Sequence, residues 1–345
     1  MVQCETKRYV VSNVSWTVPE YGSNQIKRAG EIIVSGNQNS DEYRGAMAVV
    51  DNWRLAHAYP LNVFYMYLKR HYKQYIVAQR LKRLASIVGK LRRFPTMDLW
   101  RMQDLGGCRV IVDSIEQVEE VVYDLKNAGF HHQFVGENNY IANPKSSGYR
   151  SYHLKYKYHS DRQDTYNNNM RIEIQVRTKM QHIWATAVEM MDMIAGSNLK
   201  SGEHSEVSEF FKICSALFAK IEGTAPVPDT PTDRAEIINR IRELDAKLNI
   251  LNRLDTGSFA VKIFGLANPG SGNYIVLHFT GQMANMFTYK PSLYDKAFEK
   301  YRELEGQDGN VVMVKVGQFA KLRAAYPNYF MDTHNFIELI RSQVN

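Results

Sequence analysis

The eight residues Met170-Arg-Ile-Glu-Ile-Gln-Val-Arg177 alternate apolar and polar without a break. In an extended chain Met170, Ile172, Ile174 and Val176 fall on one face and Arg171, Glu173, Gln175 and Arg177 on the other, because successive strand side chains point to opposite faces. A helix would scatter the four apolar residues around its circumference. The segment therefore predicts a strand with one face in a core and four polar groups lined along the other.

The surrounding pattern supplies the rest of an α+β fold. Strands are expected at 108–113, 132–142, 151–158 and 169–177, and helices at 115–128, 178–195 and 204–222, with Gly129 closing the first of these helices. Upstream, apolar spacing predicts a helix over 26–33. A longer helical stretch runs over 41–79, kinked or broken at Pro60, and a basic helix follows over 80–93. The outcome is a small mixed β-sheet flanked by helices.

Thr224-Ala-Pro-Val-Pro-Asp-Thr-Pro-Thr232 reads as an extended spacer, which divides 345 residues into a first domain at 1–223, a linker at 224–232 and a smaller α+β domain at 233–345. In the second domain Thr232 is expected to cap a helix reaching about Leu254. Strands are expected at 258–264, 273–279, 284–290 and 310–316 around a helix at 293–305, with two short helices around Tyr326-Pro-Asn-Tyr329.

Charge is unevenly shared. Residues 1–223 carry 29 Lys and Arg against 23 Asp and Glu, whereas 224–345 are nearly balanced at 14 against 13. Between Asn52 and Met97 there are ten Lys and Arg and no acid at all. A solvated helix face would intersperse Glu with Lys to gain i,i+4 pairs, and none can form here. An anionic partner, nucleotide phosphates or a nucleic-acid backbone, is the leading reading, with a solvated face as the alternative.

Cys4, Cys108 and Cys214 lie far apart, which supports neither a zinc site nor a disulfide framework. A cytoplasmic protein without a membrane span is expected, since no apolar run approaches the roughly 20 residues a span needs.

Asp104, just before one strand, and Glu173, in the middle of another, can supply a Mg2+-nucleotide site, because Mg2+ is usually held by one or two carboxylates plus phosphate oxygens. Taken singly, Asp104 could cap a turn and Glu173 could pair with a neighbouring arginine. Arg80, Lys82, Ser86 and Lys90 add phosphate-binding groups, and Asn143-Pro-Lys-Ser-Ser-Gly-Tyr-Arg-Ser-Tyr-His153 presents Lys145, Tyr149 and His153, with Tyr149 a candidate platform for a base. Neither a Walker A sequence nor a GxGxxG occurs.

The ordered blocks RxKxxxSxxxK at 80–90, DLxGxR at 104–109, NPKxxGYxSYH at 143–153 and EIQVRT at 173–178 resemble the synthetase domain of the RelA/SpoT family of alarmone synthetases. The resemblance extends over roughly residues 40–222. It implies a nucleotidyltransferase-like fold and an ATP pyrophosphokinase: ATP donates pyrophosphate to a 3′-hydroxyl with Mg2+ present, and AMP leaves. It places Arg80 and Arg109 against adenine, Lys82, Ser86 and Lys90 on phosphates, and Asp104 and Glu173 on the metal and the attacking hydroxyl. Lys145, Tyr149, His153 and Gln175 fall on the acceptor pocket. Asn138-Asn139 stands where many members have Lys-Asp, so an acidic contact is missing there; no His-Asp dipeptide is present, so synthesis without hydrolysis is expected.

Lys69, Arg70, Lys73, Arg92 and Arg93 lie outside the matched positions and would suit a longer polyanion. Together with Trp53–Leu61 they resemble a toxic branch of small synthetases that modify the 3′ CCA end of tRNA and stop translation. Tyr326-Pro-Asn-Tyr329 resembles the motif of fused toxin–antitoxin proteins of the CapRel type, whose C-terminal pseudo-zinc-finger domain places a tyrosine in the adenine site. That resemblance implies autoinhibition through Tyr326 or Tyr329, relieved when a phage protein such as a major capsid protein binds the C-terminal domain. Three readings follow: an autoinhibited tRNA pyrophosphokinase of antiphage defence, a small alarmone synthetase making (p)ppGpp or (p)ppApp, and a non-catalytic nucleotide-binding regulator.

Overall fold

The computed structural model describes residues 16–162, 164–195, 206–255, 274–280, 283–305, 310–315 and 329–344. The helices are α1 (Ser23–Ser35), α2 (Asp41–Ala56), α3 (Ala58–His71), α4 (Leu84–Arg93), α5 (Ile115–Lys126), α6 (Lys179–Ala195), α7 (Glu206–Ile221), α8 (Arg234–Leu248), α9 (Tyr294–Glu305) and α10 (Tyr329–Val344). The strands are β1 (Ile76–Leu81), β2 (Gly106–Val112), β3 (Gln133–Asn139), β4 (Tyr152–Lys157), β5 (Arg171–Thr178), β6 (Tyr274–Thr280), β7 (Met283–Tyr289) and β8 (Asn310–Lys315). The first five strands form one sheet in the order β1-β2-β5-β4-β3, and the last three form another in the order β7-β6-β8. This is the expected α+β architecture, with the alternating segment as the central strand β5 of the first sheet. Met170, Ile172, Ile174 and Val176 are all fully buried.

Two expectations before the sheet fail for local reasons. The helical stretch breaks at His57, not at Pro60: Pro60 lies in the first turn of α3, where its missing amide hydrogen costs no helical bond. Arg80 and Lys82 are not helical. Ile76–Leu81 is an edge strand, and Arg83, extended at φ −66° and ψ 144°, precedes the start of α4 at Leu84. The β-branched pair Ile76-Val77 favours the pleated state that the charge pattern concealed.

The described chain divides into two compact units, residues 1–110, 126–137 and 154–175, and residues 111–125, 138–153 and 176–345. In the first unit α1 packs on α2 and α4, and α3 packs on β1. Trp53, Phe64, Leu68, Ile87, Leu99 and Leu105 are buried there. Gly106 lets α3 approach the sheet, since a Cβ at that position would lie 2.7 Å from Ile172 Cδ1 and 3.5 Å from Leu61 Cβ.

In the second unit one core joins α6, α7, α8 and α10, built from Trp184, Met191, Phe210, Phe211, Phe218, Ile241 and Phe336 among others. The segment 224–232 does not set α8 apart in a core of its own. Val227 is buried in that same core, and Lys220 Nζ donates to Thr232 O at 2.9 Å. Asp233, rather than Thr232, caps α8 by accepting from the Glu236 amide at 3.0 Å, and Asn249 ends it in the left-handed conformation. Strands β6, β7 and β8 pair antiparallel, with α9 against them through Ala297 and Leu304. The strand expected at 258–264 and Tyr326 lie outside the described residues. Tyr329 is the first residue of α10, a single 16-residue helix in place of the short helix expected after that point. No helix among the described residues is long and apolar enough to cross a membrane.

Candidate active site

Within the first unit, Asp104 is the meeting point of two lysines. Lys82 Nζ donates to Asp104 Oδ2 and Lys90 Nζ to Asp104 Oδ1, each at 2.8 Å. The backbone sets this up: the Lys82 amide bonds the Leu105 carbonyl at 2.8 Å, holding the end of β1 beside the turn that enters β2, and α4 brings Lys90 to the same carboxylate. Asp104 therefore does not cap a turn; it is a charged centre. Burial opposes its ionisation and Glu173 adds to that, but the two ammonium groups prevail and hold the carboxyl below its ordinary value. Lys82 is pulled down by burial, with Asp104 restoring part of the loss and Lys90 and Arg80 adding repulsion.

The polar face of β5 completes this cluster. Glu173 is 8% exposed. Gln175 Nε2 donates to Glu173 Oε1 at 2.8 Å, and Arg109 Nη2 donates to Gln175 Oε1 at 3.4 Å. Arg80, Ser86 and Arg109 are half-buried. Among the described residues no group of three or more His, Cys, Asp and Glu could hold a metal by itself. The donor set nevertheless fits Mg2+: Asp104 and Glu173 are hard oxygen donors that repel one another, and a nucleotide's phosphates would supply the remaining ligands.

Lys145, Tyr149 and His153, expected at the acceptor, come together in the second unit. The Tyr149 hydroxyl and His153 Nε2 are 2.9 Å apart, and Lys145 Nζ sits 4.4 Å from the Tyr140 ring centroid and 5.4 Å from that of Tyr149. Tyr149 leans on Trp184 with ring centroids 6.5 Å apart. Gly148 makes the turn possible. Its φ of +88° is outside the range of ordinary residues, and a Cβ there would meet Ser215 Cβ at 3.0 Å and Lys212 Cα at 3.2 Å. At the departure noted in sequence, Asn139 Oδ1 accepts from the Ile141 and Ala142 amides at 3.0 and 2.9 Å, a turn-making role instead of an acidic contact. Gln175, expected in the acceptor pocket, is bonded to Arg109 and Glu173.

Lys69 and Arg70 end α3, Arg92 and Arg93 end α4, and Lys73 follows α3; all five are exposed. Their positions at helix C-termini are favoured by the helix dipole. Sequence reasoning missed Arg150, Ser215 and Glu222. Glu222, just past the last turn of α7, was the available signal, because a carboxylate there opposes the helix dipole and calls for a cation.

The lysine-bound carboxylate and the second acid on the sheet face belong to an α+β fold. Residues 79–191 match the model of the region found in RelA / SpoT proteins, so the chain carries a RelA/SpoT region over that span. The GTP pyrophosphokinase YjbM of Bacillus subtilis (strain 168) is 33% identical over 144 residues, 40% of this chain and 66% of that protein, just under two thirds of the relative's length. Among solved structures, small alarmone synthetase 1 from Bacillus subtilis bound to its product pppGpp aligns at 24% identity and a TM-score of 0.42 over 50% of this chain and 92% of its own. A GTP pyrophosphokinase family protein from Streptococcus pneumoniae aligns at 26% and 0.42 over 53% of this chain and 91% of its own. Every residue expected to bind ATP, metal or acceptor lies inside the matched span, whereas Lys69, Arg70 and Lys73 precede it.

Proposed function

We propose that this chain is an ATP-dependent pyrophosphokinase that transfers the β,γ-pyrophosphate of ATP to a nucleotide 3′-hydroxyl. The observation that carries this reading is the Lys82–Asp104–Lys90 cluster beside Glu173, inside a span matching the RelA/SpoT region. Phosphoryl-type transfer needs positioning and charge neutralisation more than covalent chemistry by the protein. Lys82, Lys90 and Ser86 receive the phosphates, and Arg80 and Arg109 flank the adenine. Glu173 accepts the proton of the attacking hydroxyl, while Tyr149, supported by Lys145 and His153, stacks on the acceptor base. Mg2+ held by Asp104 and Glu173 would offset the negative charge of the pyrophosphoryl group.

For the acceptor we favour the 3′ CCA end of tRNA. Support comes from the exposed set Lys69, Arg70, Lys73, Arg92 and Arg93 in a stretch without acids, more cationic surface than a mononucleotide needs. Guanosine nucleotides are the second reading, favoured by the identity with a GTP pyrophosphokinase. On the tRNA reading the activity would need restraint, by Tyr326 or Tyr329 occupying the adenine site until a phage protein, a major capsid protein by family resemblance, binds the C-terminal residues; the motif in the sequence is the support for this. Labelled ATP offered with GDP, GTP or deacylated tRNA separates the acceptors. Label only in guanosine nucleotides refutes the tRNA reading, and label in none refutes both. Tyr329→Ala is expected to make the full-length chain toxic without a trigger.

A further inference from the structure

Arg150 follows Tyr149 in the acceptor loop, and its side chain is 2% exposed. Its Nη1 donates to Glu222 Oε2 at 2.7 Å and to Thr224 Oγ1 at 3.0 Å, and its Nε donates to Ser215 Oγ at 3.2 Å. Ser215 Oγ in turn donates to the Gly148 carbonyl at 2.6 Å. The residues on both sides of Tyr149 are thus tied to α7 and its C-terminal end. Glu222 also accepts from Thr178 Oγ1 and from Gln181 Nε2, the latter at 3.2 Å, joining the end of β5 and the start of α6 to the same carboxylate.

Charge makes this clamp selective. Arg150 stays protonated, and a buried guanidinium needs a counter-charge to remain where it is. A buried ion pair adds little stability over a well-packed apolar pair, so its consequence here is geometric. Ser215 and Glu222 lie at 215 and 222, beyond the 79–191 span that carries the matched residues. Nothing in the donor-side cluster uses them.

We propose that Glu222 is a positioning residue for the acceptor: by holding Arg150, with Ser215 holding Gly148, it fixes the loop backbone that presents the Tyr149 ring to the acceptor base. This rests on the pyrophosphokinase reading above, and it names residues outside that reading's set.

The test uses the full-length protein with Glu222→Gln, which keeps hydrogen-bonding atoms but removes the charge, and Glu222→Asp as the conservative variant. Amide hydrogen exchange is measured over 143–153, and initial rates are measured with acceptor and ATP varied separately. Glu222→Gln is expected to speed exchange at 145–151 and raise the acceptor KM, each by about tenfold, as loss of a charged hydrogen bond implies. The ATP KM should stay within about twofold, the margin of a surface substitution, and Glu222→Asp should recover part of the loss. Unchanged exchange at 145–151, or equal changes in both KM values, would overturn the proposal. If Glu222→Gln does not fold, Ser215→Ala decides, since it removes one tie and leaves the ion pair: the same split at smaller amplitude upholds the clamp, and no split overturns it. A wild-type chain that transfers nothing refutes the activity reading, and the exchange pattern alone then upholds or overturns the clamp.

Discussion

Lys82 Nζ and Asp104 Oδ2 are 2.8 Å apart, and the opposite oxygen of Asp104 is taken by Lys90. One carboxylate thus holds together two ammonium groups that would otherwise repel. On the proposed reading, the phosphates of a bound nucleotide would take over these lysines and release the carboxylate for a cation.

Asp104→Asn should therefore lower transfer by on the order of 10²–10³-fold, the scale of losing one electrostatic stabiliser of a transition state. It should also change acid stability. The Asp104 pKa is lowered on folding, so its contribution is present above the unfolded value of 3.8 and is lost as pH falls through the lower folded value. Chemical denaturation at pH 7 and pH 3 should show a smaller difference for Asp104→Asn than for the wild type.

His57 provides a second pH window. It is 1% exposed, donates from Nδ1 to the Trp53 carbonyl at 2.7 Å, and meets the Trp53 ring edge-on. Burial pushes its pKa down to about 4 from 6.5, the backbone bond opposing this. Below pH 6.5 the unfolded chain takes up a proton that the folded chain refuses, so stability present above 6.5 falls as pH drops towards 4. The loss reaches roughly 3 kcal/mol at about 1.4 kcal/mol per pH unit. His57→Gln, which keeps a donor for the Trp53 carbonyl, should flatten the melting temperature between pH 6.5 and 4.

How much of this was legible in sequence depended on whether the deciding interaction was local. The period of Met170–Arg177 gave the central strand and its polar face, because alternation is a property of adjacent residues. Gly129 takes the left-handed conformation expected of a chain-reversing glycine, at φ +61°, but α5 already ends at Lys126, short of the expected 128. Arg80 and Lys82 were misplaced on a helix because basic residues are compatible with either state, and pairing with β2 decided the matter. Asp104 was found by its motif, but its two lysine partners come from the end of β1 and from α4. Glu222 and Arg150 are 72 residues apart, and no local pattern joins them. The shared core of α6, α7, α8 and α10 was likewise hidden by the Pro-rich segment at 224–232, where composition suggested a spacer and Val227 is in fact buried.

Gly106 makes a prediction about packing. Gly106→Ala would put a methyl group 2.7 Å from Ile172 Cδ1, and overpacking of this kind costs about 1–3 kcal/mol. The offending atom is the end of a side chain, so Gly106→Ala combined with Ile172→Val should recover part of that loss. Equilibrium unfolding of the two single variants and the double variant measures the coupling, and additive effects would show that the clash is relieved elsewhere.

Phe336 in α10 sits 5.8 Å, centroid to centroid, from both Phe211 and Phe218 of α7, and none of the three is more than 2% exposed. Phe211, Ser215 and Phe218 of α7 recur at helical spacing along one stripe that Glu222, just past its end, continues, so the helix proposed to clamp the loop itself packs on the C-terminal helix. Phe336→Ala should cost about 3–5 kcal/mol, read by denaturant unfolding. A chain ended after Gly223 loses α8 and α10 together. It uncovers Phe210, Phe211, Leu217 and Phe218 as one apolar surface and removes Thr224 from Arg150. Such an exposed patch drives association, so the 1–223 fragment should sediment as aggregates, while the full chain should not. A soluble fragment with a cooperative melt would show instead that α6 and α7 bury their own faces, and the C-terminal helices would then be free to act as a detachable regulator rather than as part of the fold that supports Tyr149.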